Sequence, residues 1–157
     1  MANPISGKAL RELRLGTEVI KVGVAAANDN LYTVYGKVAI NLLYGECTAA
    51  SAGASTIAIN ETVSNIDLVA ATTTNTDAVG TIYMATGDGA DTFNGGDAPT
   101  VVVGHCADNA LTPYIFHAPT TGLIIEQTET GDDADLQITW HLFYIPLEDG
   151  AYVVAAA

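Results

Sequence analysis

The sequence is short of cations, of cysteine and of long apolar runs, and each shortage removes a class of protein. All five Lys and Arg residues, Lys8, Arg11, Arg14, Lys21 and Lys37, lie in the first 37 positions of a 157-residue chain. Of its 18 carboxylates only Glu12, Glu18 and Asp29 share that stretch, so 38–157 carries 15 carboxylates and no Lys or Arg. Such a surface repels phosphate, which excludes nucleic-acid binding by the body of the protein. Salt bridges to Lys or Arg within 38–157 are impossible for the same reason. Cysteine occurs twice, at Cys47 and Cys106. A chain of this size buries roughly 70% of its unfolded surface and needs no disulfide or metal to hold together. The two are expected as buried thiols of a protein made in the cytoplasm. No apolar run approaches the roughly 20 residues of a membrane-spanning helix. Lys8, Arg11 and Arg14 stand among scattered apolar positions with no apolar block behind them, so a secretory signal is not expected.

What is present describes one folded domain. Hydrophobic residues make up 49% and charged residues 15%, which excludes a disordered chain despite a net charge of -13. Short runs rich in Val, Ile, Thr and Tyr alternate apolar with small polar residues and are broken by Gly, Asn, Asp and Pro, the pattern of an all-β fold. Strands are expected at 17–24, 31–44, 54–59, 66–70, 80–86, 100–104, 114–118, 122–127, 135–144 and 152–154. In the ninth, Leu136, Ile138, Trp140, Leu142 and Tyr144 form one apolar face and Gln137, Thr139, His141 and Phe143 the other. A one-residue slip would expose Trp140, which makes that register firm. Val38, Ile40, Leu42 and Tyr44 repeat the pattern after Gly36, a position for a bulge or bend. The one helical spacing, at 7–15, is too short to be stable alone. The expected architecture is a jelly-roll-like antiparallel β-sandwich at 17–157 preceded by a short arm at 1–16.

Chemistry-bearing motifs are few. Gly87-Asp88-Gly89-Ala90-Asp91-Thr92-Phe93 matches most of a calcium-binding β-helix nonapeptide, but the next copy begins Gly95-Gly96-Asp97 and stops at Ala98-Pro99, leaving half a cage. An EF-hand is excluded because its alternating acidic ligands and closing Glu are missing. His105, Cys106 and Asp108, with His117 and His141, lack the spacing of a metal site, so no metal is expected. His105 and Cys106 are neighbours in sequence and point to opposite faces of a strand, which counts against a catalytic pair. Nucleophile elbows, phosphate loops and dinucleotide fingerprints are missing. The carboxylate pairs Asp132-Asp133 and Glu148-Asp149 sit in expected turns rather than in a walled pocket. No catalytic residue, no cofactor and no enzyme activity are expected.

Three segments resemble the small structural proteins of tailed bacteriophages. They are Gly36-Lys37-Val38-Ala39-Ile40-Asn41-Leu42-Leu43-Tyr44-Gly45-Glu46-Cys47-Thr48, Asp77-Ala78-Val79-Gly80-Thr81-Ile82-Tyr83, and Trp140-His141-Leu142-Phe143-Tyr144-Ile145-Pro146-Leu147-Glu148-Asp149-Gly150-Ala151. The order and spacing of the Tyr-Gly-Glu, Gly-Thr-x-Tyr and Trp-x-Leu-x-Tyr-x-Pro-Leu-x-x-Gly-Ala elements agree with that family over about 36–155. The resemblance implies a virion component, a head decoration or cement protein on the capsid exterior. Its partner would be the major capsid protein, and its place at a local symmetry axis implies a homotrimer, with a dimer next. No functional residues carry across. A tail or head-fibre module that binds glycan is the alternative; Trp140 and the seven tyrosines are the rings that could stack on sugars, although their alternation mostly points them inward.

The charge asymmetry admits solubility, adaptation to high salt, or docking of the basic arm on an acidic partner. On the last of these the arm is the shell contact, with Lys8, Arg11 and Arg14 as charge partners and Ile5, Leu10 and Leu13 as apolar anchors. Phe143, Ile145 and Tyr152, near the last strands, are the candidate subunit interface.

Overall fold

The computed structural model describes residues 7–24, 28–50, 53–64, 66–74, 77–85, 114–131 and 135–157. The expected strand at 100–104 lies outside these residues. One helix, α1 (Gly7–Leu15), precedes β1 (Thr17–Val24), β2 (Asn28–Ala49), β3 (Thr56–Glu61), β4 (Ile66–Thr73), β5 (Ile82–Met84), β6 (Tyr114–Thr130), β7 (Gln137–Pro146) and β8 (Tyr152–Ala155). The fold is all-β and every pairing is antiparallel. All eight strands belong to one hydrogen-bonded sheet of order β1-β7-β2-β6-β3-β4, with β5 and β8 also paired to β2. These pairings define a single continuous sheet, whereas the sequence suggests two.

The long strand β2 organises the rest. Its first half pairs with β6 and β8, and its second half with β7 and β5. Gly36, at φ 69°, sits where the register shifts, and a Cβ there would lie 2.8 Å from Glu148 Oε1 and 3.0 Å from the Ala151 Cβ. Only glycine takes this backbone conformation without strain, so the strand turns here. A second shift, between Ile40 and Leu42, turns it again. The segments 114–118 and 122–127, expected as separate strands, form one strand. Ala118 pairs with Gly36 and Leu123 with Val34, so residues 119–122 bulge out opposite Tyr35. Proline has no N–H to give a ladder, and the bulge removes Pro119 from it without ending the strand.

The degree of bending follows from one contact. Trp140 lies opposite Gly45, and Gln127 lies opposite Asp29. At roughly 3.3 Å per residue those two points of β2 would be roughly 50 Å apart on a straight strand. Yet Trp140 Nε1 donates to Gln127 Oε1 at 2.7 Å. The sheet therefore folds back, and its two halves face each other across the core. Tyr32 Oη, which donates to the Val19 carbonyl, and Lys21 Nζ, which donates to the Ala156 carbonyl at 2.9 Å, bridge the same gap.

The core between the halves holds Tyr32, Val34, Leu43, Ile57, Ile59, Ile125, Leu136, Ile138, Trp140 and Leu142, all buried. Gly45 makes room for the indole, since a Cβ there would lie 2.8 Å from two Trp140 ring carbons. Several buried polar groups are matched to donors and acceptors, whereas the buried Thr81 hydroxyl has no hydrogen-bond partner among the described residues. The Glu61 carboxylate accepts from the backbone N–H of Val63 and, at 2.9 Å, of Ser64, closing the β3–β4 turn. Ser55 and Thr74 hydroxyls bond at 2.6 Å, and Tyr83 donates to Asp77 at 2.5 Å.

Two predictions follow from this core. Trp140→Ala removes both the packing and the Gln127 partner, and should destabilise the fold by about 3–5 kcal/mol in denaturant titrations followed by circular dichroism; a loss under about 1 kcal/mol would contradict the central place given to this contact. Burial raises the hydroxyl pKa of Tyr83, reinforced by its bond to Asp77, and burial raises that of Tyr32, reinforced by Glu18. Both therefore hold their protons in the folded state at a pH where the unfolded chain, at 10.0, has lost them. Their contribution to stability is complete below pH 10 and declines above it. Spectrophotometric titration should show these two tyrosines ionising only as the chain unfolds, and reversible ionisation in the folded protein near pH 10 would refute this.

Candidate interaction face

The side chains of β7 that point away from Trp140 build an outer face on the β1-β7-β2 half of the sheet. Register places Val22, Thr139 and Glu46 in one row, Ile20, His141 and Tyr44 in the next, and Glu18, Phe143 and Leu42 in the third. Ala39 sits between Ile145 on β7 and Ile115 on β6 in the fourth. Ile20 is 50% exposed, Val22 48%, Ile145 41% and Ile115 63%. A sheet face turned to water is ordinarily polar, and β-branched apolar residues at these positions make this face a candidate for contact.

Helix α1 is tied to this face at its third row. The Glu18 side chain is only 7% exposed; its Oε1 lies 2.9 Å from His141 Nδ1 and its Oε2 3.6 Å from the Arg11 guanidinium. A carboxylate only accepts, so His141 Nδ1 carries the hydrogen and donates. Tyr44 stacks on the imidazole, with ring centroids 4.6 Å apart and planes 3° from parallel. Burial raises the Tyr44 hydroxyl pKa, and the Glu18 charge adds to the effect. At the end of the helix Asn41 Nδ2 donates to the Leu15 carbonyl at 3.0 Å, and Gly16 N donates to the Glu12 carbonyl. Gly16 takes φ 96°, and a Cβ there would overlap the Tyr144 carbonyl oxygen at 2.0 Å. The single residue between α1 and β1 thus sets the helix against the sheet.

The residues expected to form sites are distributed as follows. Ile5 lies outside the described residues, as does the side chain of Leu10. Lys8 is exposed and pairs with Glu12 at 3.7 Å, and Arg14 is exposed. Leu13 is 81% exposed. Phe143 is a correction: it is fully buried and cannot present a subunit interface. Alternation puts it opposite Trp140, but its ring stacks with Tyr44 on the face to which α1 is tied, and that face is closed over it. Ile145 remains exposed beside Gly16, whereas Tyr152 is exposed on β8 and stacks on Tyr35 at 4.7 Å. Trp140 has no exposed surface, in keeping with its place on the inward face of β7.

Cys47 is buried, and its thiol donates to the Ala49 carbonyl at 3.3 Å. The calcium-like segment at 87–97 and the group His105, Cys106 and Asp108 lie outside the described residues, as does Asp132-Asp133. His117 is exposed opposite Lys37, and Glu148 Oε1 accepts from the Lys37 backbone N–H at 2.8 Å. Among the described residues no three His, Cys, Asp or Glu side chains converge as metal ligands. No helix among them is long and apolar enough to cross a membrane. Sequence reasoning missed the Glu18–His141 pair, whose members are 123 residues apart and share no motif.

Glu18→Gln removes the charge that holds Arg11 while keeping the side chain's shape. Trypsin reaches Arg11 and Arg14 only when α1 opens, so cleavage at these sites should become several-fold faster while the body melts at nearly the parental temperature. Equal cleavage rates would show that Glu18 does not hold the helix. No family model, curated protein or solved structure matches this chain.

Proposed function

We propose that this chain is a virion structural protein: a decoration protein that binds the outside of a phage head and stabilises the shell. The outer face supports this reading above all. Ile20, Val22, Ile115 and Ile145 stand exposed on one rigid half-sheet, around a helix carrying three of the five cations of a chain whose net charge is -13. A surface of this kind adheres; the chemistry it needs is contact area and charge, not a reacting group. A protein that binds only the assembled shell stabilises it by mass action, in proportion to occupancy. The resemblance of the three sequence segments to phage structural proteins points the same way.

The Tyr35–Tyr152 stack favours a second reading, a tail or head-fibre module that binds glycan. Tyr152 is 44% exposed, and an exposed aromatic ring can take a sugar face. Mixing the purified protein with heads that lack it separates the two. Saturable, symmetric occupancy of the shell by electron microscopy, with heads that then survive higher temperature, is the expected result. Bare shells at saturating protein, together with retention on a glycan array that Tyr152→Ala abolishes, would replace the first reading with the second.

A further inference from the structure

Helix α1 meets its own sheet through a charged side chain and leaves Leu13 exposed. An amphipathic helix ordinarily buries its apolar positions and exposes its charges. Here Arg11 turns toward the sheet to meet Glu18, while Leu13 is 81% exposed. A nine-residue helix gains little stability from its own hydrogen bonds, so an outward leucine on it is an unfilled contact. Around that leucine the charge is positive, from Lys8 and Arg14, with Lys8 paired to Glu12.

The complementary surface is on the same molecule. Ile20 and Val22 stand half exposed on β1, and Glu46 lies in the same row as Val22, exposed and with no cation in its own row. We propose that α1 docks on a second copy of this chain, with Leu13 seated on Ile20 and Val22 of its neighbour and Arg14 set against the neighbour's Glu46. The helix and the β1 surface lie side by side on one face, because Gly16 alone joins them. About a twofold axis, the operation that brings α1 onto the neighbour's β1 also brings the neighbour's α1 onto this β1, so the proposed pair is reciprocal and closed. This assigns α1, Ile20 and Val22 to self-association and leaves the exposed Ile115 and Ile145 of the outer face for the shell. It does not rest on the virion reading, since it concerns the purified chain alone.

Sedimentation velocity over a concentration series tests it. The full chain should form dimers, and Leu13→Glu or Val22→Glu should weaken the dimer by roughly tenfold or more. Because both positions are exposed, circular dichroism should be unchanged. Should Val22→Glu fail to fold, a charge swap carries the test instead. Arg14→Glu and Glu46→Arg should each be defective alone, since each sets like charges together in both contacts. Their mixture should dimerise as the parent does, because both contacts are then complementary. A parent that stays monomeric at every concentration, a trimer, or a dimer indifferent to these changes would each overturn the proposal. Loss of shell occupancy in the head-binding experiment would leave the dimer intact, so the two readings fail separately.

Discussion

The structure depends on the closure of one bent sheet by Trp140 and Gln127. The indole sits on β7 in one half of the sheet and the amide on β6 in the other, and their bond at 2.7 Å is buried. Each partner answers the other's desolvation, and a buried bond of this kind is costly to leave half made. The positions that permit it are small. Gly45 leaves space over the ring, and Gly36 lets β2 turn so that points far apart along the strand meet. Strand, bend and core are therefore a single cooperative unit, and the sheet cannot flatten without exposing its largest side chain.

With no Lys or Arg after position 37, the buried carboxylates of Glu61 and Asp77 are met by uncharged donors, and that of Glu18 by the arm and β7. Glu61 uses two backbone N–H groups, Asp77 a tyrosine hydroxyl, and Glu18 an imidazole and the arm's Arg11. Hydrogen bonds to a charged acceptor are stronger than neutral ones, and these substitute for the ion pairs that composition forbids. The consequence is a division of labour along the chain. Acidic residues stabilise turns and strand ends locally, while three of the five cations stand on α1.

That division gives the adhesive reading its physical content. The outer face of β1, β7 and β2 holds apolar side chains on a rigid support, and α1 is fixed beside them by Gly16, Asn41 and Glu18. Rigid presentation lowers the ordering cost of an encounter, so even a modest area becomes useful for binding. The helix is thus held ready without being used up by its own chain.

Local pattern by itself determined much of this protein: the all-β class, the bounds of β1 and of α1, the inward face of β7 with Trp140, and the bend at Gly36. These depend on side-chain period and on backbone preferences that act over a few residues. Only the tertiary structure decided that 114–118 and 122–127 form one strand around a bulge, that β2 serves both halves of a continuous sheet, and that Phe143 is covered although its face points outward. It alone decided that Glu18 meets His141 and that Leu13 stands exposed. Each of those outcomes is set by which distant segments the fold brings together, and composition and spacing carry no record of such contacts.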